Sequence, residues 1–346
     1  MKKLNILVTG AGSGVGQSII KALKISKIKC NIISADIDYS NAALFRTNKS
    51  IIIPKVEESG SLRWFLKNLK KHKIDILMIG SEFDMVFFSK HKNLIKSKTG
   101  CNVCVSNLDV VRMADDKFST QQFLKKNNLP FLKTFAIKNR NDLKRLPRKL
   151  KLPFILKSRY GTSSKYVYLI KKIDELKYHI KNVPFPIIQE HVGSKKDMFE
   201  NEFTCSFFKS KEKKVFGPFI AKRKLVNGTS WVVEIVNDKK ISNLVLKIAR
   251  LIDNQGTFNI QLKNRKNGPV PFEFNPRFSG TTSIRSHFGF NEPEMFVKNF
   301  IQNKSLKNPN LKKGISLRYI EEIFLNGAEN KDLKNIFGKG IINRWF

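Results

Sequence analysis

The chain has 346 residues, of which 65 are Lys or Arg and 28 are Asp or Glu, for a formal charge of +37. With 41% hydrophobic residues it can bury two or three cores, and no stretch approaches the ~18 apolar residues of a membrane helix, so a globular, cytoplasmic protein is expected. Basic residues recur in every segment, among them 67–73, 138–151 and 304–313, which fits a lysine-rich solvated surface and speaks against a nucleic-acid ligand. Four cysteines make no disulfide framework, and Cys101 and Cys104 lack the second ligand pair that a zinc site would show.

The chain opens on LNILVTG, an apolar run ending at glycines. VGQSIIKALKIS follows, with Val15, Ile19, Ile20 and Leu23 on one helical face. NIISAD and SIIIP read as strands, SLRWFLKNLKKH as a helix, IDILMIGS as a strand, VFFSKHKNLIKSK as a helix and NVCVS as a strand. Alternation of this kind predicts a parallel, doubly wound α/β sheet with helices on both faces. From residue 109 the texture changes to two helical pieces that end before Pro130, then a strand in LKTFAI and a helix and loop over 138–151. LPFILKSRYGTSSKYVYLI has the form of a hairpin. A helix in DELKYHIK, strands in FPIIQEHV, EFTCSFF, VFGPFIAKRKL and SWVVEIV, an amphipathic helix in ISNLVLKIARLID, and a closing hairpin of FNIQLKN with PVPFEFNP complete an α+β second half.

Two segments invite chemistry. GAGSGVG at residues 10–16 follows a strand and opens a helix, so its amides could hold an anion. It departs from G-x-G-x-x-G at Val15 and fits Thr9-Gly10 with Gly14 and Gly16, while Asp36 ends the second strand where a ribose-binding acid would sit. That keeps an NAD(P)-dependent reductase or epimerase as a rival reading, opposed by the lack of a Tyr-x-x-x-Lys pair. The alternative is a tight turn packed on the second half.

FEFNPR at 272–277 sets Glu273 and Asn275 on one face of a strand, since strand side chains alternate. A hairpin turning at Lys266, Asn267 and Gly268 brings Gln261 across from Glu273. Three oxygen donors with a single charge suit magnesium, which keeps waters and borrows substrate phosphates.

This set resembles the metal-binding strands of the ATP-grasp superfamily, in particular carbamoyl phosphate synthase large-subunit modules. The resemblance covers roughly residues 1–300. It implies a Rossmann-like unit preceding the grasp (1–112), an ATP-grasp unit (113–303, divided into 113–185 and a metal-binding part 186–303) and a closing segment (304–346). It implies ATP and magnesium as cofactors, two ions, with manganese as a substitute. Gln261, Glu273 and Asn275 would be the metal ligands and Arg277 the phosphate contact. Lys117 in DDKF and Lys157 in FILK would reach the ATP phosphates, beneath a loop carrying Gly161 and Ser163 that has fewer glycines than the family usually places there. Gln189, Glu190 and Val192 in PIIQEHV would form the adenine hinge, and Glu202, or else Glu200, would bind the ribose.

The activity implied is that of a carboxylate–amine ligase, with C–S bond formation as a variant: a carboxylate is activated as an acyl phosphate and captured by a nucleophile. Small-molecule carboxylate and amine partners follow, with Arg223 and Arg285 as candidate carboxylate contacts and a surface charge as the plain alternative for each. The five histidines are scattered and read as structural or surface groups. Oligomeric state is open, a homodimer included.

Overall fold

The computed structural model describes residues 3–145, 150–161, 166–193 and 201–341. The first unit is a sheet of β1 (Leu4–Thr9), β2 (Cys30–Asp36), β3 (Lys49–Ile52), β4 (Ile76–Ile79) and β5 (Asn102–Cys104) in the order β3-β2-β1-β4-β5. Every pairing is parallel. Helices Gly14–Lys24, Ser61–Lys71 and Met85–Thr99 make the crossovers. All four residues of β4 are buried, because a parallel strand covered on both faces has no wet side to alternate with. The order reverses between β1 and β4, and the turns that follow these two strands face the rest of the molecule.

Helices Leu108–Asp115 and Lys117–Lys126 lead into a four-stranded sheet of β6 (Thr134–Ala136), β7 (Phe154–Ser158), β8 (Val167–Ile170) and β9 (Pro186–Glu190), ordered β6-β9-β7-β8. β7 and β8 pair antiparallel, with Lys157 opposite Val167, which is the hairpin that the sequence predicts.

The largest sheet holds β10 (Glu202–Lys209), β11 (Val215–Val226), β12 (Thr229–Ile235), β13 (Gly256–Arg265), β14 (Gly268–Asn275) and β15 (Ile315–Leu317), in the order β14-β13-β10-β11-β12-β15. The Lys239–Leu251 helix lies on one face and buries Ile241, Leu244, Val245 and Ile248 at helical spacing against Phe203, Phe207, Phe258 and Phe274. Its first turn is capped by the Asp238 carboxylate, which accepts from the amides of Lys240 and Ile241 at 2.9 and 3.0 Å. With the odd positions of β10 committed to this core, Glu202, Thr204 and Ser206 turn to the other face.

That other face joins the first unit. One apolar cluster runs from Ile6, Val8, Ile19 and Leu23 through Phe219, Phe278, Phe290 and Val297, so the parallel sheet and the large sheet share a core. The tail, whose role the sequence leaves open, contributes β15 to the edge of the large sheet beside β12. It then returns to the first unit, where the amides of Gly338 and Gly340 donate to the carbonyls of Leu44 and Phe45. No helix among the described residues is long and apolar enough to cross a membrane.

Candidate functional site

β13 and β14 pair with Gln261 opposite Glu273 and Asn259 opposite Asn275, and the ladder shifts register between Gln261 and Leu262. The predicted face is therefore assembled. The Asn275 amide donates to Glu273 Oε1 at 2.9 Å, and the Gln261 amide approaches the same oxygen at 3.3 Å. Gln261 departs from its expected role in one respect. Its carbonyl oxygen accepts from Arg223 Nη2 at 2.8 Å, so it presents its NH2 to Glu273 and holds its oxygen toward the arginine. The same Nη2 donates to Glu202 Oε1 at 2.7 Å, and Lys263 stands 3.9 Å from the other oxygen of Glu202. Glu202, Arg223, Gln261, Glu273 and Asn275 thus form one row across β10, β11, β13 and β14. Arg223 is a bridge inside this row, not a free contact at its rim. Among the described residues, Arg223 Nε and Asn259 Oδ1 on this face are buried without a partner.

Two lysines face the row from the smaller sheet side. Lys157 on β7 is buried and donates to Gln189 Oε1 at 2.8 Å, and the Gln189 amide donates in turn to Thr134 Oγ1 at 2.9 Å. Burial, reinforced by the charge of Lys117, pushes the Lys157 ammonium down to about 7 against the opposing pull of Glu273. Burial pushes the Glu273 carboxyl upward, but Lys117, the Asn275 amide, Lys157 and Arg223 outweigh it and hold the group below its ordinary value. Glu273 is therefore ionised at neutral pH in a nest of cations.

Lys117 is fixed by its neighbour. Asp116 caps the Lys117–Lys126 helix through the Phe118 amide at 3.0 Å and grips Arg159 with both oxygens at 2.7 and 2.6 Å. The Lys117 amide donates to the Arg159 carbonyl and its Nζ to the Gly161 carbonyl at 2.5 Å. The helix start is thereby tied to the end of β7. Gly161 has φ of +95° with open space where a Cβ would stand. Ser163 and the alternative ribose acid Glu200 lie outside the described residues.

In the expected hinge, Gln189 turns inward to Lys157. Glu190 accepts from the Lys133 amide at 3.2 Å and stands 3.6 Å from Arg265. Val192 is buried with Leu132 and Val270. The Glu190 carboxylate is thus engaged on the outer side, and its backbone amide donates to the Lys133 carbonyl at 2.8 Å.

Arg277 reaches the first unit, where Nη2 bonds Glu82 in the turn after β4 and Nη1 donates to the Phe278 carbonyl at 2.9 Å. Its Nε is buried without a partner. Sequence reasoning missed Glu82, and the only signal was its place just past a parallel strand beside the reversal in strand order.

Arg285 is a correction. It is 1% exposed, and all five of its N–H donors are used: Nε and Nη2 on Glu292 at 2.8 and 3.1 Å, Nη1 on the hydroxyls of Ser279 and Thr281, and Nη2 also on Thr282. With no donor left, it braces the loop after Arg277 and has nothing to offer a carboxylate.

The glycine turn serves packing. A Cβ on Gly16 would stand 2.2 Å from the Gly10 carbonyl oxygen. Asp36 holds its own turn, accepting from the Gly12 amide at 2.7 Å and the Asn41 amide at 2.8 Å. Ser18, in the first turn pair of the following helix, donates to the Gly280 carbonyl at 2.9 Å. The ribose-binding acid that an NAD(P) reading needs is thus spent on its own turn, and that reading is not favoured.

Among the described residues no three His, Cys, Asp or Glu side chains converge as a metal cage. A single carboxylate flanked by amides is the donor set of an ion that takes most of its ligands from water and phosphate. The residues fit Mg-ATP in that sense, since Glu273 and Asn275 offer oxygens while Lys117 and Lys157 carry donors and charge toward them.

Two family models match the chain: an ATP-grasp in the biosynthetic pathway with Ter operon over residues 197–323, and a RimK-like ATP-grasp domain over residues 114–201. No curated protein matches the sequence. Among solved structures, N5-carboxyaminoimidazole synthetase from Staphylococcus aureus, complexed with ADP, is similar with TM-score 0.70 at 16% identity, covering 91% of this chain and 81% of that one. Biotin carboxylase from Campylobacter jejuni is similar with TM-score 0.72 at 14% identity, covering 92% and 76%. The biotin carboxylase domain of 2-oxoglutarate carboxylase from Hydrogenobacter thermophilus, in complex with MgADP, ADP and bicarbonate, has TM-score 0.72 at 11% identity, covering 95% and 81%. Identities at this level speak to the fold.

Proposed function

Because the chain belongs to the ATP-grasp superfamily, we propose that it is a Mg-ATP-dependent ligase that joins a small carboxylate to an amine. The observation that carries this reading is the ionised Glu273, set beside Asn275 and faced by Lys117, Lys157 and Arg223. When bound, ATP would supply the γ-phosphoryl group that turns a carboxylate into an acyl phosphate, with ADP as the leaving group and magnesium balancing the phosphate charge. Glu273 and Asn275 hold the metal edge of the triphosphate. Gln261 joins them after its oxygen is released from Arg223. Lys117 and Lys157 neutralise phosphate charge, and the Gly161 loop covers it. Glu202 takes the ribose hydroxyls, and the strand end at Glu190 to Val192 meets the base through its backbone. Arg277, held from behind by Glu82, points its remaining donors at the transferred group. Work of this kind is positioning and charge stabilisation, for which no covalent nucleophile is required.

The test is a panel of carboxylates with Mg-ATP and hydroxylamine, which traps acyl phosphates as hydroxamates. A hydroxamate formed only with ATP and magnesium supports the reading, and its absence across the panel removes it. A simpler comparison separates the two enzyme classes. Mg-ATP is expected to raise the melting temperature by mass action, while NADP leaves it unchanged. The opposite pattern would restore the dinucleotide reading.

Lys157 adds a pH signature. With its value lowered from 10.5 to about 7, the ligand-free protein binds fewer protons than the unfolded chain between those values. Its stability therefore gains from this group as pH rises through that window. Phosphate beside the amine restores the charged form. Binding of Mg-ATP near pH 8 is thus expected to take up as much as about one proton, seen by calorimetry in buffers of different ionisation enthalpy. Lys157→Met should remove that uptake.

A further inference from the structure

A small cavity, large enough for a water-sized group, lies between the first unit and the metal strands. It is lined by Glu82, Asp115, Lys117, Gly161, Glu273 and Asn275, among others. Most of these already have a task. Glu82 holds Arg277, Lys117 is tied to Gly161, and Glu273 is gripped by Asn275. Asp115 is different. It ends the Leu108–Asp115 helix one residue before Asp116, yet Asp116 alone performs the capping and the Arg159 clamp. Among the described residues no hydrogen bond or ion pair engages the Asp115 side chain.

The charges facing Asp115 come from each element around it: Lys117 from the following helix, Glu82 from the first unit, Asp116 beside it, and Arg277 from the segment after β14. Burial first, then repulsion by Glu82 and Asp116, raises its carboxyl above the ordinary value against the pull of Lys117 and Arg277. The group remains partly exposed to the cavity. Among the described residues it is an acid with no structural partner, opening on the space that Lys117, Glu82 and Glu273 also line.

We propose that Asp115 is the proton acceptor for the attacking amine, whose nitrogen is seated at this cavity when it meets the acyl phosphate. The inference rests on the ligase reading and assigns that reaction a base. An amine at neutral pH arrives as an ammonium ion, which has no lone pair for attack. The Asp115 carboxylate takes one proton and leaves the neutral amine. Its nitrogen forms the C–N bond to the acyl carbon, the C–O bond to phosphate breaks with its electron pair going to phosphate, and the second proton leaves with that phosphate. Asp115 then returns its own proton to solvent.

The experiment compares two small nucleophiles on the carboxylate identified by hydroxamate formation. Hydroxylamine is largely neutral near pH 7 and needs no acceptor before attack, whereas ammonium does. Asp115→Asn is expected to keep the Mg-ATP shift in melting temperature and hydroxamate formation within about threefold of the parent. Amide formation from ammonium should fall about 100-fold near pH 7, the range of a lost general base, and recover as pH rises and free ammonia accumulates. Asp115→Glu should restore part of it. Equal loss of both products, or of neither, overturns the role of Asp115 while leaving the ligase reading intact. Failure of the parent to form any hydroxamate overturns both, and is seen before the variant is measured.

Discussion

Glu273→Gln is expected to abolish Mg-ATP-dependent hydroxamate formation while leaving the fold in place. The substitution keeps the size of the side chain and an oxygen, but removes the single negative charge that Lys117, Lys157 and Arg223 face. In the proposed reaction, loss of the charge that would anchor the ion is expected to cost transition-state stabilisation of about 4 kcal/mol, about 1,000-fold in rate. A second effect runs in the same direction. Glu273 is the neighbour that raises the Lys157 value, so without it Lys157 gives up its proton more readily and its charge toward phosphate weakens near pH 7. Asn275→Asp should be milder, since an oxygen remains. The measurement is ADP and hydroxamate formation in the same samples, with circular dichroism to check folding. Full activity of Glu273→Gln would put the metal elsewhere and remove the main support for the proposed reaction.

Arg285→Met is expected to destabilise the protein by about 3–5 kcal/mol, the cost of leaving one member of a buried ion pair unpaired. Glu292 is wholly buried and would keep only the hydroxyls of Ser206 and Thr257 as partners. The hydroxyls of Ser279, Thr281 and Thr282 would lose their donor, and with it the loop that follows Arg277 would lose its brace. Adding Glu292→Gln removes the stranded charge and should recover part of the loss. Urea unfolding of the two variants and the parent decides the matter. If Arg285→Met unfolds at the parental midpoint and loses turnover alone, Arg285 contacts substrate after all.

The two arginines show where reading residues in order stops being informative. Arg223 and Arg285 are equally plausible as carboxylate contacts in a linear sequence, each on an element near β13 and β14. Their roles diverge through partners on other elements, Glu202 and Gln261 on neighbouring strands for the first and Glu292 at the start of the next helix for the second. Glu82 escaped notice for the same reason, since its partner is 195 residues away. Asp36 was legible as an acid at the end of a strand, but only the folded turn shows its oxygens already taken by Gly12 and Asn41.

What the sequence by itself determined is the set of elements and which residues share a face. The alternation that puts Glu273 and Asn275 together, the twelve-residue offset to Gln261, the β7 to β8 hairpin and the parallel first sheet all follow from local periodicity and turn chemistry, which act over a few residues. Tertiary structure alone decided which charges are free. An ionised side chain acquires its chemistry from burial and from whichever opposite charge the packing brings within a few ångströms, and neither quantity is local in the chain. Hence Lys157 is pushed down to about 7, and Asp115 has no partner among the described residues beside a cavity that four separate segments line.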